Sequence, residues 1–426
     1  MLKNFILSSK LLKSSSIYTF SSIINSAIPF LFLPLLTRIL TPSEYGIIAM
    51  FQISVSIVLP FVGLNLEAAI ARKYYDGENS KFSSFAGTST LLGTASAIII
   101  GFIFWFYSDS LSNLTKIPKE YIIFIVTLAY LRFLLLVLLA IFQVKLKALS
   151  YGLFQIIHSA LSLSATLYLL FVVALTWEAR IIGQLIAGLI IAIFSLIILL
   201  KNDYIKWTVT KKDINYAVSF GVPLIPHAIG SVGLIVIDRF FLTELIDLEA
   251  TGIFTIAYQL GAIISIITIS FNNAFVPWLF NNLNKNDIFL KRKIVKITYV
   301  YFIAIIFISI SLIILFPLLL NIFIGQKYHS IDQYSFLIIF GFTFQGMFFM
   351  VTNYLYYVKK TYLQSLISFG IVAIKIPLTY YAITNYGVAG AAWSFFITYI
   401  LFFLITWIIS SRVFKMPWNL LAANKN

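Results

Sequence analysis

The 426-residue chain has no cysteine, which excludes disulfides, thiolate metal sites and S-palmitoylation. Charge is also scarce. Only 11% of the residues are Asp, Glu, Lys or Arg, and the 15 acidic residues are half as many as the 30 basic ones. With 61% hydrophobic residues and a mean hydropathy of +0.98, the chain lacks the polar surface needed to coat a soluble globule of this size. Long linkers and low-complexity tails are missing, as are metal-ligand spacings, a nucleotide-binding glycine loop and a nucleophile motif. No metal, cofactor or bond-making chemistry is therefore expected. No small-residue cleavage site follows a short apolar core near the amino end, so the first apolar stretch is expected to be retained.

What the chain has is apolar length. A helix needs roughly 20 apolar residues to cross a ~30 Å hydrocarbon core. Spans are predicted at 15–37, 46–70, 83–107, 121–143, 153–175, 181–200, 219–243, 252–278, 294–319, 333–357, 362–383 and 388–409, with interfacial Trp105, Trp278 and Trp407 near span ends. Runs this long must be helices, because lipid cannot satisfy an open backbone. The expected fold class is therefore an all-α polytopic membrane protein of about twelve transmembrane helices.

A net charge of +15 would suggest nucleic acid in a soluble chain. The placement of the charges argues otherwise. Of the 30 Lys and Arg residues, Arg132 and Lys375 fall within spans, 22 fall on one side, and six (Arg38, Lys116, Lys119, Arg180, Arg239, Lys327) fall on the other. The 22 include Lys3, Lys10 and Lys13 at the amino end, Lys291, Arg292 and Lys293 in a central loop, and Lys425 in the tail. By the positive-inside rule the richer side is cytoplasmic and both termini face it, in a bacterial inner membrane.

The longest basic connection divides the chain. Expected boundaries are an N-terminal six-helix lobe at 1–200, a cytoplasmic linker at 201–217, a C-terminal six-helix lobe at 218–411 and a cytoplasmic tail at 412–426. Leu33-Pro34-Leu35-Leu36-Thr37-Arg38 is echoed by Val222-Pro223-Leu224 running down to Asp238-Arg239. Val144-Lys145 with Tyr151-Gly152 is echoed by Val358-Lys359-Lys360 with Phe369-Gly370. Six spans separate the copies, so the two lobes read as parallel, pseudo-symmetric repeats framing a midplane cleft, as in alternating-access transporters. Pro29, Pro34, Pro223, Pro226 and Pro377 are expected to interrupt hydrogen bonding within spans.

An Arg or Lys at midspan costs ~2.5–3.5 kcal/mol on insertion scales, which makes Arg132 and Lys375 candidates for a cavity. Both suit phosphate oxygens, and neutralising either is expected to leave folding intact. His158 lies close to the repeat equivalent of Lys375, a position that fits either the cleft or helix packing. His227, Ser231 and Asp238 share one helical stripe, as do Tyr258, Ser265 and Asn272; such stripes fit either sugar hydroxyls or helix-to-helix bonds. Arg38, Asp238 and Arg239 stand as candidates for a gate at the lobe interface. Glu67, near the end of the second span, is a candidate partner for a cavity cation or a proton.

Three segments carry a family resemblance: Pro34-Leu35-Leu36-Thr37-Arg38-Ile39-Leu40-Thr41-Pro42-Ser43-Glu44-Tyr45-Gly46, Gly221-Val222-Pro223-Leu224-Ile225-Pro226-His227 with Ile237-Asp238-Arg239-Phe240, and Tyr386-Gly387-Val388-Ala389-Gly390-Ala391-Ala392. The chain resembles the polysaccharide transporters, the Wzx-type O-antigen flippases, of the superfamily that also holds the MATE drug exporters. That resemblance implies two lobes, a cationic cavity, and flipping of undecaprenyl-diphosphate-linked O-antigen or capsule oligosaccharide towards the periplasm. It implies membrane lipids as partners, and leaves open H+ or Na+ coupling and a complex with a polysaccharide polymerase or chain-length regulator. The alternatives are a MATE-like cation or drug antiporter, disfavoured by the positive midspan charges, and a membrane glycan polymerase or ligase, disfavoured by the short external loops.

Overall fold

The computed structural model describes residues 28, 30, 32–76, 79–285 and 287–419. Pro29, most of the first expected span, and Lys3, Lys10, Lys13 and Lys425 lie outside the described residues, as do the side chains of Lys81 and Ser231.

Every regular element among the described residues is helical. The first unit holds α2 (Pro42–Gly63), α3 (Leu66–Lys73), α4 (Asn79–Phe106), α5 (Ser108–Thr115), α6 (Ile122–Val144), α7 (Ala148–Phe171), α8 (Trp177–Lys201) and α9 (Lys211–Gly221). A helix that includes residues 28, 30 and 32–39, α1, precedes them. After them come α10 (Ile225–Leu245), α11 (Leu248–Leu283), α12 (Ile288–Phe323), α13 (Asp332–Tyr357) and α14 (Thr361–Val413). Among the described residues nine helices are long and apolar enough to cross a membrane, and the pair Lys211–Gly230 and Val232–Leu245, bent by 49°, makes a tenth if it is one span.

Helix α14 supplies two crossings by itself. Its 53 residues include Gly387 at φ 60°, ψ −137°, a conformation open essentially to glycine alone. The chain reverses there. The hydroxyls of Thr379 and Ser394 lie 2.6 Å apart, although 15 residues of straight helix would separate them by about 22 Å. The halves correspond to the expected spans 362–383 and 388–409.

Local chemistry sets the other boundaries. Asp247 accepts from the backbone N–H of Ala250 at 2.7 Å and caps α11, Asp287 accepts from Phe289 at 2.8 Å and caps α12, and Thr210 accepts from Asp213 at 3.1 Å and caps α9. Helix α2 ends at Leu64 and Asn65, both left-handed with φ of 48° and 50°. The expected span 46–70 therefore stops early, and Glu67 lies on the separate helix α3. Pro223 sits in a 3-10 turn and Pro226 in the first turn of α10, where no helical bond from their nitrogens is needed. They mark the junction between α9 and α10, which falls inside the expected span 219–243.

The chain divides into two compact units, residues 1–32 with 43–232 and residues 33–42 with 233–426. This moves both expected boundaries. Residues 204–221 are part of the first unit's core, since Tyr204, Ile205 and Ala217 are buried with Leu66, Phe85, Phe133 and Leu138. Gly221 meets the backbone carbonyl of Leu64 so closely that a Cβ would lie 2.2 Å from it. Residues 33–42 join the second unit. There Gly325 donates to Thr37 Oγ1 at 3.1 Å and the Tyr328 hydroxyl donates to the Leu40 carbonyl at 3.2 Å.

Apolar stripes at helical spacing face outward on α4 (Ile98, Phe102, Trp105) and α12 (Ile303, Phe307, Ile314). Water would expel such stripes, and hydrocarbon accepts them.

Candidate functional site

In the first unit a cavity of about 130 Å³ is lined by Ile28, Leu128, Arg132, His158, Ser159, Ser162, Leu163, Arg180 and Gln184. That is far more than the ~15 Å³ that admits one water. Helix α6 brings Arg132 to it, α7 brings His158 and Ser162, and α8 brings Arg180 and Gln184.

The two guanidiniums are held by neutral partners. Arg132 Nη2 donates to Gln52 Oε1 at 2.8 Å. Arg180 Nη1 donates to Ser162 Oγ at 3.3 Å, and Gln184, with its amide oxygen turned towards it, accepts from Arg180 Nη2 at 3.1 Å. The amides of Gln52 and Gln184 touch and join the two arms. No carboxylate lines this cavity, and neither arginine is in an ion pair among the described residues. Two like charges in a low-dielectric wall repel each other and keep their affinity for an anion.

Sequence reasoning found Arg132 and His158 but missed Arg180, Gln52 and Gln184. Arg180 lies one residue outside the expected span 181–200, whereas the structure places it inside α8, one turn before Gln184. A polar side chain in the middle of an apolar run, as at Gln52, was the available signal.

Lys375 has a different environment. It is fully buried on α14, where Nζ donates to Asp238 Oδ2 at 2.6 Å and to the Leu234 carbonyl at 2.7 Å. The Thr379 hydroxyl donates to Asp238 Oδ1 at 3.4 Å. The ammonium is thus neutralised inside the second unit, leaving it little to offer a phosphate. Asp238, one of the gate candidates, is equally engaged.

Arg239 is buried on α10 rather than in a loop. Its Nε donates to Thr255 Oγ1 at 3.1 Å, its Nη1 donates to the Ile235 carbonyl at 2.7 Å, and its guanidinium lies 4.2 Å from the centre of the Tyr258 ring. Arg38 donates to the Ile322 carbonyl at 3.0 Å near the end of α12. The stripe on α11 bonds to α13: Ser265 donates to Gln345 at 2.9 Å, and Asn272 accepts from Asn353 at 2.8 Å. His227 is exposed in the first turn of α10. Glu67 lines a separate cavity of about 310 Å³ with Ser56, Pro60, Asn65, Ala228 and Val232. Burial raises its carboxyl above the ordinary value.

Residues 11–283 match the family described as polysaccharide biosynthesis protein. The chain belongs to that family. Among curated relatives, the "Lsg locus putative protein 1" of Haemophilus influenzae is 27% identical over 422 residues, covering 93% of this chain and 98% of that protein. An "Uncharacterized membrane protein" of the same organism is 25% identical over 355 residues, covering 82% and 85%. Among solved structures, an inward-facing multidrug resistance MATE family transporter of the MOP superfamily aligns with a TM-score of 0.75 at 12% identity, over 92% of this chain and 95% of that one. The lipid II flippase MurJ in its inward closed conformation aligns with a TM-score of 0.73 at 15% identity, over 96% and 87%. The chain therefore has a multi-pass helical fold shared with these transporter and flippase structures.

Proposed function

We propose that this membrane protein is a flippase that carries undecaprenyl-diphosphate-linked oligosaccharide, an O-antigen or capsule repeat unit, from the cytoplasmic to the periplasmic leaflet of the inner membrane by alternating access. The observation that carries this reading is the pair Arg132 and Arg180, which line one cavity with no carboxylate among the described residues. A diphosphate supplies the missing negative charge, and a guanidinium can grip its oxygens through two parallel bonds. His158, Ser159 and Ser162 add polar contacts on the same wall. A cation exporter would need acidic groups there.

The test is export. In a strain without another flippase, Arg132→Ala and Arg180→Ala should each lower surface glycan and accumulate the lipid-linked precursor, while Arg180→Lys keeps part of the activity because the charge survives. Losing one charge-assisted contact of ~1.5–3 kcal/mol corresponds to roughly a 10- to 150-fold drop in substrate affinity. Normal glycan display from well-expressed alanine variants would remove the cavity from the mechanism.

A further inference from the structure

A second pocket in the first unit, of about 340 Å³, opens where the turn from α6 to α7 meets the end of α8. Its rim carries Lys147, Ser150, Asn202 and Tyr204, and its wall continues through Leu153, Phe154, Ile157, Ile198 and Phe142. We propose that this pocket binds an anionic phospholipid, with the phosphate at the lysine rim and an acyl chain along the apolar wall.

Two lysines converge on one ring. Lys147 Nζ donates to the Tyr204 hydroxyl at 2.7 Å, and Lys145 Nζ lies 4.8 Å from the centre of the same ring. A phenol and a ring face leave both ammonium charges intact. No acidic side chain lines the pocket, and neither lysine is in an ion pair among the described residues. The lysines also flank Leu146, whose φ of 55° fixes a tight turn, so they are held at the membrane edge by the backbone.

The wall below is made for hydrocarbon. Leu149, Leu153 and Ile157 follow at four-residue spacing on α7 and remain 64%, 48% and 45% exposed. This stripe continues from the basic rim towards the membrane centre, so charge and apolar surface lie in the order in which a phospholipid presents them. The pocket is distinct from the arginine cavity, and its assignment does not depend on the proposed cargo.

The cysteine-free chain allows a direct test. A fluorophore is attached to Leu153→Cys in the pocket, and in a second protein to Val300→Cys on the lipid face of α12, each a turn or two beyond the last lysine of its helix end. Full-length protein in bilayers is then quenched with brominated phosphatidylglycerol or brominated phosphatidylcholine of matched chains. The expected result is a phosphatidylglycerol preference at position 153 clearly larger than that at 300, where Lys291, Arg292, Lys293 and Lys296 attract anionic headgroups without a pocket. The preference should fall roughly fivefold with Lys147→Gln and further with Lys145→Gln added, since one basic residue contributes about that factor near a surface. Lys147→Arg should retain it. Equal preference at both positions, or a preference unchanged in the double variant with an unaltered melting temperature, would overturn the proposal. So would abolition of the preference by inorganic phosphate at constant ionic strength, because the rim would then be reading phosphate without lipid.

Discussion

Lys375 and Arg132 look alike in the sequence, each a cation within an apolar run, and they separate only when their neighbours are known. Asp238 lies 2.6 Å from Lys375, with both side chains almost wholly inaccessible. Removing one member of such a pair strands the other charge, at a cost of about 3–5 kcal/mol, whereas replacing both by apolar residues can be neutral. Lys375→Ala and Asp238→Asn should therefore each lower the melting temperature in detergent, and the double variant Lys375→Met with Asp238→Leu should regain most of the loss. This reverses the sequence-based expectation that neutralising Lys375 leaves folding intact. Glu67, outside the membrane-spanning helices, gives a second check. Its carboxyl is raised by burial, so the folded chain holds this proton more tightly than the unfolded one. The associated stability is present at low pH and is lost as pH rises through the elevated value. Glu67→Gln should thus stabilise the protein relative to wild type near neutral pH, and the difference should shrink on acidification; a difference independent of pH would remove the titration account.

At the scale of the helix, apolar length and basic loops made nearly every span legible, while the breaks depended on single residues. Leu64 and Asn65 adopt left-handed backbone directly after Gly63, and this Gly-Leu-Asn turn signal between α2 and α3 was hidden by the apolar residues on either side of it. The reversal at Gly387 was legible, because the apolar run pauses there. Gly387→Ala should cost on the order of 1–3 kcal/mol in backbone strain. Gly370→Ala, in the same helix with nothing within 4 Å of the added carbon, should be tolerated or slightly stabilising. Comparing the two melting temperatures separates strain at the turn from a general effect of glycine. The arginine cavity was half legible for a related reason. Arg132 lies deep in an apolar run and declares itself, but Arg180 stands at the edge of one, where a loop residue and a helix residue look the same.

For the whole molecule, sequence periodicity and family resemblance gave the two-part helical architecture, and contact geometry then redrew its borders. Residues 204–221 bury Tyr204, Ile205 and Ala217 in the first unit because these apolar positions sit among lysines in what otherwise reads as a hydrophilic connector. The proposed orientation in the membrane rests on the 22 basic residues against six; of those six, the structure places Arg180 in α8 and buries Arg239 in α10. With a membrane-impermeant maleimide, Asp247→Cys should label from outside intact cells and Lys293→Cys only after permeabilisation. The reverse pattern would invert the topology and with it the proposed direction of transport.

On the proposed flippase reading, the uncompensated charge of Arg132 and Arg180 would also make the site a voltage-sensitive element. Moving one elementary charge across the whole membrane potential is worth ~2.3 kcal/mol per 100 mV, and two guanidiniums feel their share of that field in proportion to the depth they traverse. An interior-negative potential draws an empty site inwards. In that proposed cycle a diphosphate bound between the arginines would cancel most of this pull, leaving the outward step of a loaded carrier nearly electroneutral and the empty return driven. Resting potential alone would then bias the cycle towards export, with the Lys375–Asp238 pair, already neutral, taking no part in the charge movement.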